Sequence, residues 1–117
     1  MAVNVKRVYD PPSAEDGYRV LVDRLWPRGL SKAELKLDEW MKEIAPSNEL
    51  RKRFHHDANQ WWEFQKMYFK ELEGHSDLAE QLIQRSRAGT LTLLYAARDE
   101  EHNNAIALRN YLEGKSR

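Results

Sequence analysis

Three observations predict a small α/β domain. Val20-Leu21-Val22 and Thr90 to Tyr95 (TLTLLY) are short runs with apolar residues at successive positions, so each strand is buried on both faces and needs a covering layer on either side. The stretch between them is long and mostly helical in pattern, and a crossover of that kind makes the two strands parallel. The chain has 117 residues, and a domain of this size buries roughly two-thirds of the surface its unfolded chain exposes. The expected architecture is therefore a three-layer, Rossmann-like α/β domain over residues 1–117, with a short, mostly parallel sheet of about three strands flanked by helices.

Each element has its own justification. Val3 to Tyr9 is a strand with β-branched Val3, Val5 and Val8, interrupted by Lys6 and Arg7 as in a partly exposed strand. DPPSAEDG (Asp10 to Gly17) is a loop, and YRVLVDRL (Tyr18 to Leu25) is the second strand. A hairpin is the default for so short a connection between the first two strands. Pro27 and Gly29 break the chain. Ser31 and Glu34 have capping-box spacing, and Leu37, Trp40, Met41 and Ile44 fall on one helical stripe that Pro46 ends. Ser47 caps a short helix carrying Leu50 and Phe54. Asp57 with Gln60 opens a helix whose stripe is Trp61, Phe64, Gln65, Tyr68 and Leu72, stopped at Gly74. That aromatic stripe is core by its spacing. Asp77 and Glu80 open the next helix, with Leu78, Leu82 and Ile83 on its face and Gly89 at its end. After the third strand, Asp99 caps a last helix bearing Ala105, Leu108, Arg109 and Leu112.

Composition narrows the function. Nineteen Lys and Arg balance nineteen Asp and Glu, and aromatics make up 10% of the chain; this argues against intrinsic disorder and against a protein that coats nucleic acid through an overall basic field. No apolar run approaches the ~20 residues of a membrane span, and MAVNVKRVYD lacks the apolar core of a signal peptide, so a cytoplasmic location without membrane partners is expected. With no cysteine, disulfides and thiolate catalysis are excluded, and no metal site or cofactor is expected. P-loop, GxGxxG, GxSxG and HExxH motifs are absent from the sequence.

In open α/β sheets, ligands bind beyond the carboxyl ends of the strands. Here those ends carry Tyr9-Asp10, then Asp23-Arg24-Leu25-Trp26-Pro27-Arg28-Gly29, then Ala96 to Asn104. Arg24 and Arg28 bracket a Trp-Pro turn, and paired guanidiniums match phosphate or carboxylate oxygens. The alternative is that Arg24 pairs with a structural carboxylate, Asp23 or Asp99, while Trp26 fills the core. Asp99, Glu100 and Glu101 suit a helix start as well as catalysis, and Asn103 and Asn104 sit one turn in. His55-His56-Asp57 is the one His/acid cluster, either loop or cap histidines or the source of a single general base rather than a metal site, since neighbouring histidines diverge on a helix.

RVYDPP, DGYRVLVDRLWPRGL, LDEW, APSNELRKRFHHD and TLLYAARDEEHNNA closely resemble the short, YeaO-like branch of domain-of-unknown-function family 488, from about Lys6 to Leu112. The resemblance implies a parallel α/β fold in a small cytosolic bacterial or archaeal protein. It moves the first two strands from a hairpin toward a parallel pair. The family pattern falls on Asp23, Arg24, Trp26, Pro27, Arg28, Gly29, Pro46, Ser47, Leu50, Arg51, His56, Phe64, Tyr68, Asp99 and Asn103. Longer relatives carry a Cys-containing segment after the last strand, where this chain has Tyr95-Ala96-Ala97, so no thiol chemistry transfers.

The expected function is binding of an anionic, phosphate-bearing, nucleotide-like small molecule, with catalysis left open. Arg24, Trp26, Arg28, Arg51 and Asn103 are the candidate ligand contacts, and Asp23, His56 and Asp99 the candidate catalytic groups. Two rival readings stand beside it. One is a nucleic-acid module using Arg24, Arg28, Arg51, Lys52 and Arg53 with Trp26 for stacking; the other is a structural or interaction domain whose arginines are buried ion-pair partners.

Overall fold

The computed structural model of the chain describes residues 2–54 and 57–116. A fully parallel, four-stranded sheet lies at its centre, with strands β1 (Ala2–Arg7), β2 (Tyr18–Leu21), β3 (Glu39–Trp40) and β4 (Thr90–Tyr95) in the order β1-β4-β2-β3. The apolar run of β4 occupies the centre, as its burial on both faces requires, and β1, broken by Lys6 and Arg7, lies at an edge.

The first two strands form neither a hairpin nor an adjacent pair. β4 lies between them, and both run parallel to it. The connection crosses beneath β4 through a 3-10 turn at Ala14–Asp16 whose N-cap is Ser13. Gly17 closes this crossing with φ of 65°, and a Cβ there would lie 2.2 Å from the Thr90 carbonyl oxygen, so only glycine fits.

The sheet has four strands rather than about three, and the extra one replaces an expected helix. The capping box of Ser31 and Glu34 forms as its spacing requires, but α1 (Lys32–Leu35) lasts only four residues. Lys36 enters the left-handed region at φ 49° and ends it. Asp38 then pairs with β2: its N–H donates to the Arg19 carbonyl at 2.9 Å, and its carboxylate accepts the Arg19 N–H at 2.8 Å. Leu37, Trp40, Met41 and Ile44 are thus spread over a bend, β3 and a 3-10 turn (Lys42–Ile44) instead of one helical face. β2 is also shorter than expected, ending at Leu21, because the chain turns outward at Asp23.

The remaining helices are α2 (Asn48–Phe54), α3 (Trp61–Glu73), α4 (Ser76–Ala88) and α5 (Asn104–Lys115). Asp57 caps the 3-10 turn Ala58–Gln60 that leads into α3. On one face of the sheet, Val3, Val20, Leu91 and Leu93 pack against Tyr68 and Leu72 of α3, Leu82 and Ile83 of α4, and Leu108 and Leu112 of α5. The opposite face is covered more thinly: Leu21 and Leu94 meet Val8 and Leu35, with Trp26 and Trp40 at the margin. Beneath that face the buried Asp16 carboxylate binds both Lys6 and Arg19. Arg19 also donates to the Leu35 and Lys36 carbonyls, tying the end of α1 to the sheet. No described helix is long and apolar enough to cross a membrane.

Candidate functional site

Because every strand points the same way, the carboxyl ends of β1, β2 and β4 open onto one side of the sheet. A cavity of about 540 Å³ lies there. Its walls are the segment 23–28 after β2, Ala96, Ala97 and 102–104 after β4, Tyr9 after β1, and residues of α2, the turn before α3, and the start of α3.

Asp23 joins three of these elements. One carboxylate oxygen accepts the Ala96 N–H at 2.9 Å, the other accepts from the Asn104 amide at 3.0 Å, and its carbonyl accepts the Trp40 indole N–H at 2.8 Å. Asn104 also donates to the Val22 carbonyl. A carboxylate engaged in this way aligns the strand ends.

Arg24 finds main-chain carbonyls rather than a structural carboxylate. Its Nε donates to Pro46 O at 3.3 Å and its Nη2 to Ala45 O at 3.0 Å. The same segment is held from α3. The Tyr68 hydroxyl donates to Ile44 O at 2.6 Å, and Glu71 accepts from the Ser47 N–H at 2.9 Å and from its hydroxyl at 2.6 Å. The run Pro46-Ser47 is thereby fixed between the β2 turn and α3, and α2 starts from a defined point with the Ser47 hydroxyl accepting the Leu50 N–H. Burial pushes the Tyr68 hydroxyl well above its ordinary value, so it stays a neutral donor.

Trp26 sits between the cavity and the second apolar cluster. It lines the cavity, packs edge-on against Trp40 at 5.4 Å, and donates its indole N–H to Leu30 O. Arg28 and Arg51 both line the cavity and are exposed. The loop bearing Arg28 is tethered by the Tyr9 hydroxyl, which donates to the Arg28 carbonyl at 3.0 Å.

The residues after β4 depart from expectation. Asn103, not Asp99, is the N-cap of α5: its side-chain oxygen accepts the Ile106 N–H and its amide donates to Asp99 O. Asn103 lines the cavity, but both ends of its amide are committed to this cap. Asp99 does not line the cavity. It organises the preceding loop, accepting the N–H groups of Glu101 and His102 at 2.9 Å and facing His102 Nδ1 at 3.1 Å. The two backbone N–H bonds, then the imidazole, hold its carboxyl below the usual range. His56 lies outside the described residues.

Sequence reasoning missed His102, Trp61, Phe54 and Phe64 as cavity residues. The three-residue interval from Asp99 to His102 was the available signal for the first. The aromatic side chains carry a core pattern, and only the fold reveals that their outer edges are open.

The charges around the cavity are unequal. Arg24, Arg28, Arg51 and Lys52 face it, against the carboxylates Asp23 and Asp57. Asp57 is occupied by the Asn59 N–H and the Gln60 amide. Among the described residues, none of the four cations forms an ion pair. Nor do the described residues contain a cluster of three or more His, Asp or Glu side chains placed to hold a metal ion. Among the described lining residues there is no serine or threonine.

A family described as the inactive DUF488-N3 subclade matches residues 2–117. The chain is 47% identical over 112 residues to the uncharacterised protein YeaO of Escherichia coli (strain K12), covering 96% of this chain and 97% of that one. It is 38% identical over 113 residues to an uncharacterised protein of Mycobacterium tuberculosis (strain ATCC 25618 / H37Rv), covering 97% of this chain and 95% of the other. No solved structure gives a significant match.

Proposed function

We propose that this chain, which belongs to the inactive DUF488-N3 subclade, binds an anionic, phosphate-bearing small molecule at the carboxyl ends of its strands and does not transform it. The observation that carries this reading is the charge imbalance of the cavity: Arg24, Arg28, Arg51 and Lys52 line it without ion-pair partners among the described residues. Cations gathered around a concave site repel one another, and an anion relieves that repulsion. Guanidinium forks are suited to phosphate oxygens. The amino end of α5, reached through Asn103 and Asn104, adds a favourable partial charge.

Binding without turnover is supported by the chemistry of the walls. Asp99 organises the loop before α5 and does not line the cavity, and the described lining offers no aliphatic hydroxyl as nucleophile. The word "inactive" in the family's description agrees with this.

A thermal-shift titration tests the proposal. The panel holds phosphate, pyrophosphate, nucleotides, sugar phosphates and short single-stranded oligonucleotides. A ligand at a hundred times its dissociation constant adds about 2.7 kcal/mol, a shift of several degrees for a domain of this size. The wild type is expected to shift with a phosphate-bearing small molecule, and a folded Arg28→Ala/Arg51→Ala variant is expected to lose most of that shift. No shift with any anion, or equal shifts in both proteins, contradicts the proposal. A shift with oligonucleotides alone, falling steeply with salt, transfers the site to the nucleic-acid reading.

A further inference from the structure

We infer that the same cavity holds a planar ring beside its anion, so that its ligand is a phosphate ester of a ring-bearing molecule such as a nucleoside. This rests on the anion-binding reading and narrows it. Volume is the first reason. About 540 Å³ lies within the roughly 300–1,000 Å³ range of pockets that enclose whole organic ligands and far exceeds what a bare phosphate fills.

The second reason is the composition of one wall. Phe54, Phe64, Trp61 and His102 form a continuous aromatic surface along it. Phe54 meets Phe64 edge-on at 5.9 Å, Phe64 stacks on Trp61 at 5.9 Å with 23° between the planes, and Trp61 meets His102 edge-on at 5.3 Å. Rings fixed by one another offer an aromatic wall at little entropic cost, and stacking of a ligand ring on an aromatic side chain tolerates any base. An anion alone leaves this wall in water.

The third reason is polar. Asp99 holds His102 through Nδ1. Neither Nε2 of His102 nor the Trp61 indole N–H makes a hydrogen bond to a described residue. Both are half-buried at the cavity wall and can meet the heteroatoms at a ring's edge.

Calorimetric titration of the full chain with AMP, ribose 5-phosphate and adenosine tests the inference, since the first two carry the same phosphate and differ by the base. The expected result is AMP binding roughly ten- to a hundredfold more tightly than ribose 5-phosphate, the range stacking supplies. Trp61→Leu, which keeps apolar bulk but removes the indole, is expected to bring that ratio close to one. Arg51→Ala is expected to weaken both phosphates and preserve the ratio. His102→Ala serves as a second wall variant should Trp61→Leu fail to fold. Equal affinities for AMP and ribose 5-phosphate, or a ratio unchanged in the wall variants, overturn the ring compartment and leave the anion site standing. Adenosine binding as tightly as AMP overturns the anion reading instead. No binding by any of the three overturns both.

Discussion

Arg24 holds the main-chain carbonyls of Ala45 and Pro46, and that changes what its replacement reports. Hydrogen bonds from a charged donor contribute about 1.5–3 kcal/mol, so Arg24→Ala is expected to lose stability on that scale by removing the link between the β2 turn and the start of α2. Arg28 and Arg51 are exposed, and their replacement by alanine is expected to stay within about 0.5 kcal/mol. Urea denaturation of the three variants separates them; an Arg24→Ala protein as stable as the wild type shows the carbonyl contacts to be incidental. The distinction bears on function, because only the two exposed arginines can be removed without confusing binding with folding. At this scale the sequence is legible in its unusual turns. DRLWPRG stands out as an unusual turn carrying two arginines, and both of them line the cavity. What it does not reveal is the partner of each group, since a carbonyl acceptor leaves no residue-type signature. Asp99 illustrates the same limit: an acid near a helix start reads as its cap, yet the helix begins four residues later at Asn103 and Asp99 serves the loop and His102.

Among the elements, β2 and β4 are readable because burial on both faces places apolar residues at successive positions, Val20-Leu21-Val22 and Leu93-Leu94-Tyr95, and α3 and α4 because their stripes are long. The failure at Leu37 to Ile44 has a specific cause. The spacing fits a helix, but the Lys36 αL turn and the pairing of Asp38 with Arg19 place Glu39–Trp40 alongside β2. Tertiary hydrogen bonds prevail over a short periodicity. The thin face depends on one carboxylate. Burial alone raises the Asp16 pKa, but the Ser13 N–H, Lys6 and Arg19 outweigh burial and hold the carboxyl below the usual carboxylate range. A depressed folded-state value means that the stabilisation is complete above the unfolded-state value and is lost as pH falls through the folded one. Asp16→Asn is therefore expected to cost about 3 kcal/mol at neutral pH by leaving the buried Arg19 and the partly buried Lys6 without their carboxylate, and to lose less than the wild type on going below about pH 4. Denaturant titrations of both proteins at neutral and acid pH measure this; parallel loss in the two shows that Asp16 is not the titrating support of this face.

For the molecule as a whole, strand order is the property the sequence hides most completely. Nothing local reports that β4, the last strand in the chain, inserts between the first two. The rule that ligands meet the carboxyl ends of parallel strands does not need that order. It needs only a common direction, and so it gathers Asp23 to Arg28 and the residues after β4 around one cavity. The central claim is that this cavity takes a phosphate-bearing anion. Its most direct test is an amide-resolved NMR titration of the 15N-labelled protein with pyrophosphate. The account predicts saturable shifts concentrated in residues 23–28, 48–52 and 96–104, with the far ends of the strands unmoved. No shifts at millimolar pyrophosphate, or shifts centred away from the strand ends, contradict it.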